Sequence, residues 1–451
     1  MASSRTSKSG KPKRREAKGA APAGKRVKVG LAGFGTVGRS VAKILTHDAR
    51  GAFLLTHIFN RNIDKKKIAG LPAHIRWTSN IDDLLDSDID VFIELIGGLE
   101  PAGEWVRRAL RAGKSVVTAN KLLVSEHGPE LLDLSRKMGK RLEFGASVAG
   151  GIPAIIGIQE GLAGDRLHKI AGILNGTCNF ILTKMEKAGA SFDAALKEAQ
   201  QLGFAEADPS ADVDGMDARA KLVILTQAGL RLRVSPEQIP CRSIRLVDAV
   251  DFTYAADLAC TIRQVSLAQR ETSKGAGKNR VVRLSAAVQP ALIPTASLMA
   301  HAQGSQNIVA TTGEFAGRMI FSGYGAGGDP TAVAVVSDLY AIARSAGAPP
   351  EAMPGAVETP AAVNGDFVVP HYLRFIVRDR PGIVAAIAAV LAKHEISIDA
   401  LLQKPGFPHS ALSFVMTVEP CDSSLLNRAL EEIAALDFHV EAPLCLPIFA
   451  D

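Results

Sequence analysis

From Val27 onward the chain sets short uninterrupted apolar runs between stretches in which apolar residues recur at helical spacing. Val27 to Leu31 is the first run; Gly33-Phe34-Gly35-Thr36-Val37-Gly38 follows it, and Val41, Ile44 and Leu45 continue on one helical face. Phe53 to Phe59, Val91 to Ile96 and Ser115 to Thr118 repeat the strand-like pattern, the last after a helical stretch carrying Trp105, Val106, Ala109 and Leu110. Strands covered on both faces read as continuous apolar runs, so this alternation predicts an α/β fold, a doubly wound parallel sheet over 26–150.

Beyond Gly150 the pattern lengthens. Phe192 to Leu202 and Met216 to Leu230 read as helices, mixed with strand-like runs near Ile170 to Leu174 and Val281 to Val288, which predicts an α+β domain over 151–324, expected to bind substrate and to dimerise. The turn Gly325-Ala326-Gly327-Gly328-Asp329-Pro330-Thr331-Ala332 opens a helix from Val333 to Ala346, and 325–346 is expected to return to the first domain and complete it. Ala348 to Asn364 carries Pro349, Pro350, Pro354 and Pro360 without periodicity, so 347–368 is expected to be a linker. His371 to Val377, Ile383 to His394, Ile396 to Leu402, Ala411 to Val418, Leu425 to Leu436 and Phe438 to Glu441 then alternate as βαββαβ, a ferredoxin-like module over 369–447.

Charge alters this picture only at one end. The whole chain is +6, but residues 1–26 hold nine Lys or Arg against the single acid Glu16, so the remainder is slightly acidic. A nucleic-acid partner is therefore not indicated for the folded part, and residues 1–25, rich in Ser, Lys, Ala, Gly and Pro, are expected to be a disordered basic tail. The five cysteines (Cys178, Cys241, Cys260, Cys421, Cys445) never fall in CxxC spacing, which argues against a disulfide framework or zinc site. No run reaches the roughly 18 apolar residues of a membrane span, and no apolar core follows the basic start, so a cytoplasmic protein is expected.

The glycine triplet sits where a strand turns into a helix. There Gly33 permits the tight turn, Gly35 lets backbone approach a pyrophosphate, and Gly38 allows close helix–sheet packing, which predicts a dinucleotide site. At the end of the second strand, where an acid would hold the ribose of NAD, the chain has Asn60-Arg61-Asn62 with Lys65, Lys66 and Lys67 behind it. Cations there favour NADP(H), with NAD(H) still possible. Val116 to Lys121 delivers Lys121 to the edge of the sheet where ligands bind. Farther on, Asp217 and Lys221 stand at i and i+4 at the start of a helix. Such a pair is either a surface ion pair of a few tenths of a kcal/mol or, facing a cleft, an ammonium anchor beside a proton donor. From these residues alone the chain is a Rossmann-type oxidoreductase of amino-acid-derived aldehydes or hydroxy acids, or else a non-enzymatic sensory or nucleic-acid-binding protein.

An ordered set of motifs is more specific. GFGTVG at 33–38, ELIGG at 94–98, GKSVVTANK at 113–121, SVAGGIP at 147–153, NGTCNF at 175–180, EADPSADVDGMDARAKL at 206–222 and GAGGDPTA at 325–332 together resemble homoserine dehydrogenase. The resemblance implies reversible reduction of aspartate β-semialdehyde to homoserine on the route to threonine and methionine. It further implies that Gly33, Phe34, Gly35, Thr36, Val37, Gly38 and Gly327 border the nucleotide and that Arg61 faces its adenosine end. Lys121 then lies between nicotinamide and substrate, Glu206 and Asp217 hold the substrate amino group, Asp212 supports them, and Lys221 is the general acid. An alkali cation, Na+ or K+, is implied on backbone carbonyls of Val148, Gly150 and Ile152; the glutamate that accompanies them in the family is replaced by Gly145, so weak binding is expected. Tyr324 also departs from the family, with an effect expected on the turn alone. Arg378-Asp379-Arg380-Pro381-Gly382-Ile383-Val384 resembles the ACT family, which implies pairing through sheets into a dimer or tetramer and an amino-acid effector, with threonine the natural one.

Overall fold

The computed structural model describes residues 26–47, 51–66, 70–274, 280–345 and 357–449. The basic tail, Lys67, Ala346 and most of the proline-rich stretch lie outside the described residues. Among the described residues no helix is long and apolar enough to cross a membrane.

The first sheet contains β1 (Val27–Ala32), β2 (Phe53–Phe59), β3 (Arg76–Thr78), β4 (Val91–Glu94), β5 (Ser115–Thr118) and β6 (Leu142–Glu143), all parallel, in the order β3-β2-β1-β4-β5-β6. Because the strand order reverses between β1 and β4, the loops leaving their carboxyl ends diverge and open a crevice. Helix Thr36–His47 covers one face with Val41 and Leu45, and helices Ala102–Arg111 and Lys121–Lys137 cover the other with Val106, Leu110, Leu123 and Leu131. The returning helix, Gly328–Arg344, docks beside Thr36–His47 through Val335 and Leu339. It starts five residues before the expected Val333, because Pro330 falls in its first turn, where no backbone donor is needed.

The middle sheet is built from β7 (Leu167–Ile173), β8 (Cys260–Lys274), β9 (Arg280–Pro294), β10 (Gln306–Gly313), β11 (Arg318–Tyr324) and β12 (Ala362–Asn364), in the order β11-β10-β7-β8-β9-β12. Two expectations are corrected here. The run at Val281 to Val288 is only the first half of a strand of 15 residues, Arg280–Pro294. The stretch expected as linker contains β12, which pairs in parallel with Arg283 to Ser285 of β9, and Glu358 bridges to Leu232.

The last sheet joins β13 (Val368–Val377), β14 (Ile398–Gln403), β15 (Leu412–Asp422) and β16 (Leu444–Pro447) in the antiparallel order β14-β15-β13-β16. Helices Ile383–Lys393 and Ser423–Ala434 cover one face with Ile387, Leu391, Leu426 and Ile433. Its other face presents Tyr372, Val415 and Leu446 to Phe252 and Tyr254 of the middle region. At that contact the fully buried Asp251 accepts from the Tyr372 hydroxyl at 2.7 Å and from Arg374, so the charge carried into the interface is paired. The final strand is Leu444–Pro447 and not the expected Phe438 to Glu441. Phe438 instead drops into the core, and His439 makes an isolated bridge to Val377.

Candidate active site

Lys121 owes its position to the end of β5. The chain leaves the strand at Thr118, and Asn120 caps the helix Lys121–Lys137 by accepting from the Leu123 N–H at 3.1 Å, which makes Lys121 the first helical residue at the crevice. The opposite wall comes from the middle region. Gly215, at φ 88°, takes the left-handed turn that starts helix Met216–Leu225, and Asp217 and Lys221 follow one turn apart on the same face.

These two walls meet at one carboxylate. Lys121 Nζ is 2.8 Å from Asp217 Oδ1, and Lys221 Nζ donates to Asp217 Oδ2 at 2.7 Å. Lys221 also donates to the Leu174 carbonyl at 2.7 Å, so two of its three donors are taken and one direction is left for a reacting oxygen. With its side chain only 8% exposed, Asp217 is no surface partner, and the reading of this pair as a solvated ion pair fails.

Two asparagines complete the arrangement, and neither had been assigned a role from the sequence. Asn175 donates through Nδ2 to Asp212 Oδ1 at 2.6 Å and to Asp217 Oδ2 at 2.8 Å, while its Oδ1 caps helix Gly176–Ala188 at the Cys178 N–H. Asn307 on β10 donates to the Leu174 carbonyl at 2.8 Å, fixing the same oxygen that holds Lys221. Asn175 lies within NGTCNF, a usable signal; Asn307 lies in none of the motifs. Glu206 is exposed on the preceding loop, near enough for its charge to raise the pKa of Lys121.

Burial alone would raise the Asp217 carboxyl, but the ammonium groups of Lys221 and Lys121 outweigh it and hold the group well below the usual carboxylate range. Burial likewise works to lower Lys121, yet Asp217, with Asp212 and Glu206 farther off, leaves its pKa raised. Asp212 shifts upward because burial exceeds the help it receives from Asn175, with Asp217 adding repulsion. The cluster is thus a fixed negative centre clamped between two cations, with a second acid whose charge is loosely held.

The nucleotide loop has the shape the triplet predicted. Gly33 is at φ 102°, and a Cβ there would lie 2.5 Å from the Leu95 carbonyl; at Gly38 it would lie 2.2 Å from the Gly33 carbonyl. Gly35 meets nothing within 4 Å, which leaves its backbone open to a ligand. Thr36 is exposed and Val37 half-buried, whereas the Phe34 side chain turns fully into the core against Trp77, so Phe34 borders this loop through its backbone. Arg61 is exposed just past β2. Gly327, at φ 125°, precedes Gly328, where a Cβ would lie 2.8 Å from Thr36 Cγ2, and Ser40 donates to Asp329 at 2.6 Å. Across the crevice the buried Glu94 accepts from Ile96 N–H at 2.7 Å, Gly97 N–H at 3.0 Å and the Thr118 hydroxyl at 2.5 Å, pinning the ELIGG turn beside Asn120. Tyr324 is 64% exposed and lines an open cleft with Phe180 and Phe204.

The residues implied for an alkali cation fit in part. Ala149 at φ 53° and Gly150 at φ 30° form a left-handed bend between Val148 and Ile152. Among the described residues no backbone N–H donates to the Val148 or Gly150 carbonyl, whereas that of Ile152 accepts from Ala154 N–H at 2.7 Å. Gly145 brings no carboxylate, but another acid stands beside it: a Cβ at 145 would lie 2.7 Å from Asp338 Oδ1. Burial, reinforced by Glu143, pushes the Asp338 carboxyl up to about 8.

Comparison with known proteins gives this geometry its family. The profile described as "Homoserine dehydrogenase" matches residues 153–340, that of its NAD-binding domain matches 33–145, and an ACT domain matches 371–438. A homoserine dehydrogenase of Bacillus subtilis is 37% identical over 404 residues, covering 87% of this chain and 91% of the relative. The chain belongs to the homoserine dehydrogenase family. It is a nicotinamide-dependent oxidoreductase with a carboxy-terminal ACT domain. A homoserine dehydrogenase of Synechocystis is 36% identical over 94% of this chain and the whole of the relative. The crystal structure of a homoserine dehydrogenase from Thiobacillus denitrificans superposes with a TM-score of 0.85 at 35% identity, covering 94% of this chain and 99% of that one. A hyperthermophilic archaeal homoserine dehydrogenase in complex with NADPH has a TM-score of 0.59 at 26% identity, covering 71% and 98%.

Proposed function

We propose that this homoserine dehydrogenase reduces aspartate β-semialdehyde with NADPH, using Lys221 as general acid and Lys121 and Asp217 as its partners, on the route to threonine and methionine. The observation that carries the reading is the clamp of two ammonium groups on the single buried Asp217. The reduced nicotinamide, when bound along the loop 33–38, supplies the hydride to the aldehyde carbon. As negative charge gathers on the aldehyde oxygen, the third donor of Lys221 stabilises and then protonates it, while Asp217 keeps that lysine aimed. Lys121 sits between cofactor and substrate. Glu206 and Asp217 take the substrate α-ammonium, with Asn175 donating to Asp217 from behind and Asp212 supporting the arrangement through that same asparagine.

Preference for NADPH rests on the exposed Arg61 at the end of β2, with Lys65 and Lys66 behind it and no acid among Asn60, Arg61 and Asn62. The ratio of kcat/KM with NADPH to that with NADH should favour NADPH, and Arg61→Ala should lower the ratio about tenfold, a loss of roughly 1.4 kcal/mol. A wild-type preference for NADH would overturn the assignment of Arg61.

The ACT domain is read as a sensor of a small amino acid, threonine first, at the 378–384 loop. Support comes from Gly382, at φ 94°, which opens helix Ile383–Lys393, and from the exposed edge strand β14, where Ile398 and Leu401 are available for pairing copies into a dimer or tetramer. Calorimetry should give saturable threonine binding to the whole chain and loss of it in Gly382→Ala, whose new Cβ the left-handed backbone disfavours. Equal binding by both proteins would place the effector elsewhere, and a monomeric mass by light scattering would exclude the assembly.

A further inference from the structure

We infer that Asn307 is a positioning residue for the reduction: by occupying one side of the Leu174 carbonyl it fixes the direction in which Lys221 presents its remaining donor. The inference rests on the reading of Lys221 as general acid and extends that machinery to a strand in which no motif lies.

The β10–β7 ladder ends at the pair Ile308↔Ile173, so the Leu174 carbonyl stands one residue beyond it. Two side chains reach that oxygen, Asn307 Nδ2 at 2.8 Å and Lys221 Nζ at 2.7 Å. A carbonyl oxygen offers two lone pairs near its own plane. With one held by the amide, the ammonium is confined to the other. Asp217 takes a second N–H of Lys221, and the third is then left with a single direction.

Such a fix requires that the amide itself cannot move. Asn307 is 2% exposed, on a strand flanked by β7 and β11, and the backbone of Gly325 lies against its side chain. A Cβ at 325 would come within 2.2 Å of Asn307 Cγ and 2.3 Å of Nδ2, so the glycine that opens the 325–332 turn is what lets the amide be wedged there. Only the NH2 end of the amide can face a carbonyl, which settles its orientation.

The fold alone gives no reason for an asparagine here. Lys221 by itself satisfies the Leu174 oxygen, and Asn307 Oδ1, buried with no hydrogen-bond partner among the described residues, weakens the fold. An apolar residue of that size would pack without leaving a polar atom unpaired. What the second donor adds is direction for the lysine, and unpaired buried groups of this kind call for such an explanation.

The test is single-turnover reduction of aspartate β-semialdehyde by NADPH with Asn307→Ala and Asn307→Asp, each made in the wild-type chain and in Lys221→Ala, with melting temperatures to show that the proteins are folded. Asn307→Asp keeps the shape and loses the N–H donors, so it serves if the alanine variant does not fold. In the wild-type chain either substitution should lower the rate constant about 10- to 10²-fold, the loss expected for a catalytic group slightly misplaced, while KM for the semialdehyde changes less than about twofold. In Lys221→Ala there is no ammonium left to aim, and the same substitutions should change the rate less than about twofold. An equal fold-loss in both backgrounds would show a general structural role and overturn the inference, as would variants that keep more than about half of the wild-type rate. Failure of the underlying reading looks different: Lys221→Ala would itself stay fast, and the positioning role would fall with the general acid.

Discussion

Lys221→Ala should lower kcat for aspartate β-semialdehyde reduction by about 10³-fold, within the range that general acids contribute, while the Kd for NADPH changes less than about twofold. The asymmetry follows from where Lys221 is anchored. Its two fixed contacts, Asp217 and the Leu174 carbonyl, belong to the middle region, and none of the residues placed along the nucleotide loop touches it. Stopped-flow reduction with NADPH and fluorescence titration of the cofactor measure the two quantities separately. A Lys221→Ala enzyme retaining more than about a tenth of the wild-type rate would remove the general-acid role.

Asp217→Asn is expected to act on both catalysis and stability. Taking away the shared carboxylate leaves two ammonium groups facing one another across a neutral amide, and it removes one of the two acids read as binding the substrate α-ammonium. We expect kcat to fall by about 10²-fold or more and KM to rise, and any alkaline limb of the rate profile that reports Lys121 to move to lower pH, because Asp217 raises that lysine. The stability effect has a defined sign. Asp217 is held below its unfolded value, so the stability it contributes is present above about pH 4 and is lost as pH falls further. Urea unfolding of wild type and Asp217→Asn should therefore differ most near neutrality and converge in acid; a difference independent of pH from 7 to 3 would contradict the electrostatic account.

Much of the nucleotide half was legible in the sequence because its information is local. A both-faces-buried strand must be a run such as Val91 to Glu94, and the turn that follows β1 needs Gly33 whatever surrounds it. The same reasoning fails where pairing is long-range. β12 is three residues of a proline-rich stretch, and it becomes a strand only because Arg283 to Ser285 offer it an edge. Phe438 to Glu441 and Leu444–Pro447 are both short and partly apolar, and the choice between them is made by β13, which pairs with the second. β8, with Arg263, Gln264, Gln269 and Arg270 in its run, hides its strand character behind polar residues. One of them, Arg263, is only 1% exposed and bonded to Glu186 at 2.9 Å.

The site divides in the same way. Lys121, Asp217 and Lys221 stand in motifs, and helical spacing already put the last two on one face. That Lys121, 96 positions earlier than Asp217, reaches the same carboxylate is a property of how two domains close on one crevice. Asn307 and Asp338 left no trace in the sequence pattern, since an asparagine on a strand and an aspartate in a helix look solvated until the burial around them is known.

A crystal structure of the protein with NADP+ and homoserine tests the convergence of the two lysines most directly. The account predicts the homoserine hydroxyl within about 3.2 Å of Lys221 Nζ, its α-ammonium against Asp217 or Glu206, and the nicotinamide ring beside Lys121. Homoserine bound with its hydroxyl away from Lys221, or a nicotinamide ring remote from Lys121, would contradict it.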